Sequence, residues 1–403
     1  MQKESQAKAK TKHHKPTLVM FSVTGVFLLL FFGLALAHEL RPLVVVNELP
    51  GEGSLAINGE AGTSTTDTTR PVVPQLDRID YATWMLRLAN NDLYALLSTS
   101  SREVIDPVTG SSTTEIIAAR DPLELYGSHG KRYPAETTYP EVGAILPFNR
   151  IVAYYGNFYS RQMGALGEYE PEEVKRRLLE EVTNWEEADP TTPVIPAIDY
   201  IAVVAQAEAG DDGMYRNRMP DSEIQKAIDM AQELNGIVFL EIQPGLSDLQ
   251  EEIEYFEKWL KMPEVHLAID PEFRMKNGNR PGVVIGTVDA VDVNMAIEYL
   301  DNLVETENLP PKLLIVHRFT QDMVTNATAI TPTPTTQVIM VMDGWGPPAN
   351  KINTYYYILE PEPVQFTGFK VFYKNDLKPP SPSIMYPEDI LQLSPQPIFI
   401  QYQ

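Results

Sequence analysis

The chain has 403 residues, 43% of them hydrophobic, and 32 basic against 55 acidic side chains give a formal net charge of -23. That length and apolar content support one large domain with extras, while the negative charge repels phosphate backbones and excludes nucleic acid as a partner. The absence of cysteine excludes disulfides, thiolate metal sites and a cysteine nucleophile.

In chain order, residues 1–16 carry five lysines and two histidines, a basic tail of the kind that stays in the cytoplasm. The run TLVMFSVTGVFLLLFFGLALA, Thr17 to Ala37, is uncharged over 21 residues and long enough to cross a membrane. It serves as a transmembrane anchor or, because Ala35-Leu36-Ala37 forms an A-x-A site, as a signal segment cut after Ala37. Either fate puts the acidic body outside the cytoplasm, on a single-pass N-terminal anchor or secreted. Residues 38–71 form a flexible linker rich in Gly, Ser, Thr and Pro. Residues 72–145 form a small, partly helical region, with apolar residues at helical spacing from Ile79 to Leu97 and then the turn-rich REVIDPVTGSSTTE.

From 146 to 403 short apolar runs alternate with amphipathic segments. The runs are RIVAYYG (150–156), PVIPAID (193–199), GIVFLEI (236–242), VHLAID (265–270), KLLIVH (312–317), QVIMVMD (337–343), FTGFKVFY (366–373) and PIFIQYQ (397–403). Helical stripes lie between the first five, whereas the connections after runs five to seven read less clearly as helices. Eight strand–helix units over about 250 residues predict an α/β fold, a TIM-like (β/α)8 barrel. The alternative, a doubly wound open sheet, lacks a glycine-rich phosphate loop after its first strand.

Such a barrel carries its chemistry at the C-terminal ends of the strands. Those ends hold Tyr154 and Asn157, Asp199, Glu241, Asp270 and Glu272, His317 and Arg318, Asp343 with Trp345 close behind, Tyr373 and Lys374, and Gln401. Side chains two apart on a strand share a face, which aligns Ala268 with Asp270 and Glu272, and Phe239 with Glu241 and Gln243. Crowded carboxylates raise at least one pKa and create a general acid, and glycoside cleavage needs an acid paired with a second carboxylate. Glu272, Asp270, Glu241 and Asp343 are therefore the candidate catalytic groups. Tyr154, Asn157, Asp199, His317, Arg318, Trp345, Tyr373, Lys374 and Gln401 are candidates for substrate binding. Helix caps at strand ends account for single acids such as Asp199 or Asp343.

Asp270-Pro271-Glu272 and Met340-Val341-Met342-Asp343 resemble the D-x-E and M-x-Y-D motifs on the fourth and sixth strands of chitinase-like (β/α)8 glycoside hydrolases. The resemblance implies that Glu272 protonates the glycosidic oxygen and that Asp270 is its partner. The family's further acidic positions on strand four fall on Ala268 and Val265, and its tyrosine on Met342. The C-terminal part also resembles exported bacterial barrel proteins. The reading is a membrane-anchored, extracytoplasmic hydrolase acting on a polysaccharide or cell-wall glycan, without a cofactor. Two alternatives stay open: a divalent-metal hydrolase using Asp199, Glu241, Asp270 and Asp343 with His317 or Lys374 as acid or base, and a non-catalytic glycan-binding or structural protein of the cell envelope. His266, lower on strand four, reads as a core residue, and no G-x-S-x-G elbow supports a serine triad.

Overall fold

The computed structural model describes residues 77–89, 91–128 and 132–403. The basic tail, the apolar run 17–37 and the linker 38–71 lie outside them, and no described helix is long and apolar enough to cross a membrane.

Eight strands form where the apolar runs stand: β1 Arg150–Gly156, β2 Val194–Ala205, β3 Ile237–Ile242, β4 Val265–Ile269, β5 Lys312–Arg318, β6 Thr336–Met342, β7 Phe366–Val371 and β8 Phe399–Tyr402. Each pairs in parallel with its sequence neighbours, and β8 returns to pair with β1. The sheet therefore closes on itself, which excludes the open doubly wound alternative and leaves none of the eight with an unpaired edge. Two lengths differ from the sequence reading. β2 runs six residues past Asp199, because its tail pairs with Ile242 across a bulge and, antiparallel, with Arg216–Arg218. β7 stops at Val371, where the chain turns toward the short helical turn Asn375–Leu377.

The crossover helices bury apolar stripes against the barrel's outer face. Pro171–Ala188 buries Val174, Leu178, Val182 and Trp185, with proline at its first position where no amide donor is required. Asp221–Glu233 follows β2, and Leu249–Tyr255 follows β3 with Asp248 accepting from two of its free amides. Ala290–Glu307 follows β4 and opens with an Asp289/Asp292 capping box. After β5 there are only the 3-10 turns Gln321–Met323 and Ala327–Ala329, and after β7 a four-residue helix, Pro387–Ile390. The connection after β6 departs from the sequence reading: Pro348–Ile358 is an 11-residue helix that buries Lys351, Tyr355 and Ile358.

The described residues before β1 include a helix with a definite place. The helix Arg78–Ala89 buries Tyr81, Ala82, Met85 and Leu86 in one apolar cluster with Ile151, Ile195, Ile237 and Leu313, which lie at the N-terminal ends of four strands. Polar ties fix it there. Asp189 accepts from Arg87 at 2.8 Å and from Arg150 at 3.2 Å, and Gln337 exchanges hydrogen bonds with the backbone of Leu146. This segment stoppers one mouth of the barrel, so chemistry is confined to the other. The hairpin Ser100–Ile105/Ser112–Ile117 lies on the surface.

Leu86 is fully buried in the stopper. Leu86→Ala is expected to lower the unfolding free energy by about 2–5 kcal/mol in urea denaturation. A loss below about 0.5 kcal/mol would show that the helix Arg78–Ala89 is no part of the core.

Candidate active site

Partners in a parallel register point to the same side of the sheet, so the pairing itself identifies the lumen-facing residues. Tyr155 pairs with Asp199, His317 with Val341, Val341 with Gly368, and Lys370 with Gln401. Below the open mouth the lumen is filled by Ala153, Ala197, Phe239, Ala268, Ile315, Val341 and Phe399. Above them each strand contributes one polar side chain, Asp199 from the middle of the long β2 and the others at or just past their strand ends: Tyr155, Asp199, Glu241, Asp270, His317, Asp343, Lys370 and Gln401. None of the eight is more than 9% exposed.

Glu241 is at the centre of this ring. Its Oε1 accepts from the Tyr155 hydroxyl at 2.8 Å and from Gln243 Nε2 at 3.0 Å, and its Oε2 faces His317 Nε2 at 3.0 Å. Gln243 also reaches the Tyr155 hydroxyl at 3.2 Å and Asp270 Oδ2 at 3.4 Å. On its other side His317 Nδ1 faces Asp343 at 3.5 Å. Gln401 donates to Asp199, and Lys370 Nζ lies 3.7 Å from the centre of the Tyr155 ring. Asp270 and Glu272 do not arrive by strand alternation, because β4 ends at Ile269. They enter through the 3-10 turn Pro271–Phe273, whose Glu272 amide donates to Asp270 Oδ1 at 3.1 Å. Asp270 thus caps the turn and belongs to the ring at once, while Glu272 stays partly exposed at the mouth.

Burial disfavours charge at every one of these groups, and the neighbours decide which of them keep it. For Glu241 burial is outweighed by His317 and Lys370, and its pKa falls below the ordinary glutamate value. For His317 burial is outweighed by Glu241 and then Asp343, which push it up to about 9. Burial and repulsion from Glu241 raise Asp199 to about 8 and Asp270 well above its ordinary value. Burial raises Asp343 against the pull of His317 and Lys370. Burial and Asp343 bring Glu272 to about 7. At neutral pH Glu241 and His317 form a buried ion pair, Asp199 and Asp270 bind protons more tightly than a free aspartate does, and Glu272 lies at the mouth with its pKa raised.

Glu272, Asp270, Glu241, Asp343, Asp199, His317 and Gln401 are brought together. Other candidates are placed elsewhere. Tyr154 points away from the lumen, its hydroxyl 3.0 Å from that of Tyr373, which donates to Glu181 at 2.6 Å; both rings pack in the layer beneath Pro171–Ala188. Asn157 spends its amide on the Tyr200 hydroxyl and the Ile201 carbonyl. Arg318 binds the carbonyls of Thr320, Gln321 and Val324, together with Glu362. Lys374 pairs with Glu168 at the surface. Trp345 stands 42% exposed after β6, with Lys378 Nζ 4.9 Å from its ring centre.

Lys370 is a lumen residue that the strand-end rule misses, because the apolar run continues to Tyr373 while β7 stops at Val371. The signal was there: in FTGFKV the alternation Phe366, Gly368, Lys370 puts a lysine on the lumen side of an otherwise apolar strand. Tyr154 and Tyr155 both stand at the end of the first run, and without a strand phase the sequence does not show that Tyr155 is the one facing the lumen.

No protein-family model and no curated protein matches the chain. Among solved structures it is similar to a glycoside hydrolase family 5 enzyme from Prevotella bryantii B14, in complex with a xyloglucan tetradecasaccharide. That match has 10% identity, covers 55% of this chain and 78% of the other, and has a TM-score of 0.29. It is also similar to GH26C from Muricauda sp. MAR_2010_75, at 10% identity over 80% of this chain and 86% of the other, with a TM-score of 0.28. Likeness at this level says nothing about the site.

The raised groups give stability a definite pH dependence. Asp199 binds its proton more tightly folded than unfolded, so its contribution is present in acid and is lost as pH rises from the ordinary 3.8 to about 8. His317 has the same sign between 6.5 and about 9, and Glu241, held low, has the opposite sign and acts only in acid. The thermal midpoint is therefore expected to fall from pH 6 to pH 9, and Asp199→Asn to flatten that fall. A midpoint that rises across this window would contradict the assigned protonation pattern.

Proposed function

We propose that the chain is a glycan-cleaving hydrolase in which Glu272 is the general acid and Glu241 the ionised partner. The observation that carries this is the placement of two carboxyls at one mouth, Glu241 buried and fixed by Tyr155, Gln243 and His317 while Glu272 stays partly exposed; those surroundings push Glu272 up to about 7 and hold Glu241 below its ordinary value. Pairs of titratable groups driven apart by their surroundings are what acid and base roles require. Protonated Glu272, partly exposed, gives its proton to the glycosidic oxygen. Glu241, fixed by Tyr155, Gln243 and His317, faces the positive charge that develops on the sugar carbon, as nucleophile or as electrostatic stabiliser. Asp270 holds the turn that aims Glu272, and Asp343 raises its pKa. Trp345 offers an exposed aromatic face at the rim for a sugar ring.

The substrate is a polysaccharide or cell-wall glycan outside the cytoplasm. The basic tail and the uncharged run 17–37 support this placement, the body remaining on its anchor or leaving it after cleavage at Ala37. Full-length protein is expected in the membrane fraction, resistant to carbonate; a soluble cytoplasmic protein with an intact N-terminus would refute this.

A divalent-metal hydrolase is a second reading, favoured by one observation. Asp199, Glu241 and His317 bring a ligand atom each within 4.8 Å of one another, all buried, a mixed oxygen and nitrogen set suited to such a cation.

Release of reducing ends from peptidoglycan and a panel of envelope polysaccharides separates the readings. Glu272→Gln is expected to lower turnover by about 10²–10⁴-fold without changing the unfolding midpoint, and wild-type activity is expected to decline above about pH 7 as Glu272 loses its proton. Residual turnover within tenfold of wild type would remove Glu272 from the role. Loss of turnover on chelation would favour the metal, and binding without products would leave a glycan-binding protein.

A further inference from the structure

Outside the lumen a second buried charge pair takes no part in this chemistry. Lys351, on the helix Pro348–Ile358, and Asp376, in the turn Asn375–Leu377, lie 2.6 Å apart, each side chain 1% exposed. Three further bonds go to backbone beside the site, at the end of β7 and in the loop after β6. Lys351 Nζ donates to the Lys370 carbonyl at 2.6 Å, Asp376 Oδ2 accepts from the Phe372 amide at 2.9 Å, and Asp376 Oδ1 accepts from the Gly346 amide at 2.9 Å. Lys370 is the lumen's ammonium, and Gly346 directly follows Trp345. The turn that carries Asp376 also delivers Lys378 to the Trp345 ring.

A buried ion pair pays heavily in desolvation and is often no more stabilising than a well-packed apolar pair. What this one supplies is geometry, since its donors and acceptors hold the backbone where β7 ends, at Lys370 and Phe372, and the loop that presents Trp345. We propose that Lys351 and Asp376 are positioning residues, a clamp that sets Lys370 against the lumen carboxylates and fixes Trp345 at the rim. The purpose of the clamp rests on the hydrolase reading above; its existence as a geometric device does not.

The test uses no glycan. Trp345 quenching by acrylamide, corrected with a Trp345→Phe background, and the NMR ring-current shift of the Lys370 ε-methylene over the Tyr155 ring are measured in wild type, in Lys351→Met/Asp376→Asn and in Asp376→Asn alone. The single substitution replaces one carboxylate oxygen by an amide nitrogen of the same shape, so a folded comparison is retained if the double variant is lost. Released from the clamp, Trp345 is expected to be quenched at least about twofold faster. Lys370, moved off the Tyr155 ring, is expected to lose most of that ring-current shift. A lower unfolding midpoint with both signals unchanged would overturn the proposal and leave the pair a stability element only. A clamp verified in a protein that cleaves no glycan would sink the hydrolase reading alone.

Discussion

Five carboxyl groups, an imidazole and an ammonium converge in a lumen that water barely reaches, and they cannot all be charged there. The rest of the site follows from how that conflict is resolved. Glu241 has the best partners: a phenol, an amide and the His317 ring, within 2.8 to 3.0 Å. It therefore keeps its charge and holds His317 protonated. Its own negative charge pushes the proton affinity of Asp199 and Asp270 upward. Glu272, farthest toward solvent, settles near neutrality. The groups titrate as a set, each setting the field of the others.

The fold makes the arrangement affordable. A closed parallel sheet turns inward-facing side chains from every strand toward the lumen, in layers drawn from alternate strands, so eight strands can bring eight polar groups to one mouth without any strand being irregular within its apolar run. Below that level the lumen is apolar, and the helix Arg78–Ala89 seals the far mouth with Tyr81, Met85 and Leu86. Polar groups thus meet solvent only from one side. The same sealing raises the energetic weight of every interaction inside, since low dielectric strengthens the Glu241–His317 pair as much as it penalises an unpaired acid.

Much of this was legible in the chain. All eight apolar runs became strands, and Asp199, Glu241, Asp270, His317, Asp343 and Gln401 were picked out from their positions at strand ends. What failed was phase. Tyr154 and Tyr155 are equivalent in composition, but only the register with Asp199 shows that Tyr155 faces inward. Arg318 and Tyr373 were one residue out of phase or beyond the strand, and the layer of helices outside absorbed them. Lys370 was hidden inside a run whose end was placed two residues too late. The role of residues 78–148 was also illegible, because the stopper is defined by which barrel mouth it covers, and that is a tertiary fact.

The most direct test of the account is the site-resolved titration of the two carboxyls proposed as acid and partner, by carbon-detected NMR with glutamate labelled at the side-chain carboxyl and assigned through Glu272→Gln and Glu241→Gln. The account predicts that Glu272 titrates near 7 and Glu241 below 4.5. Both carboxyls titrating near 4.5, or the two in reversed order, would contradict it.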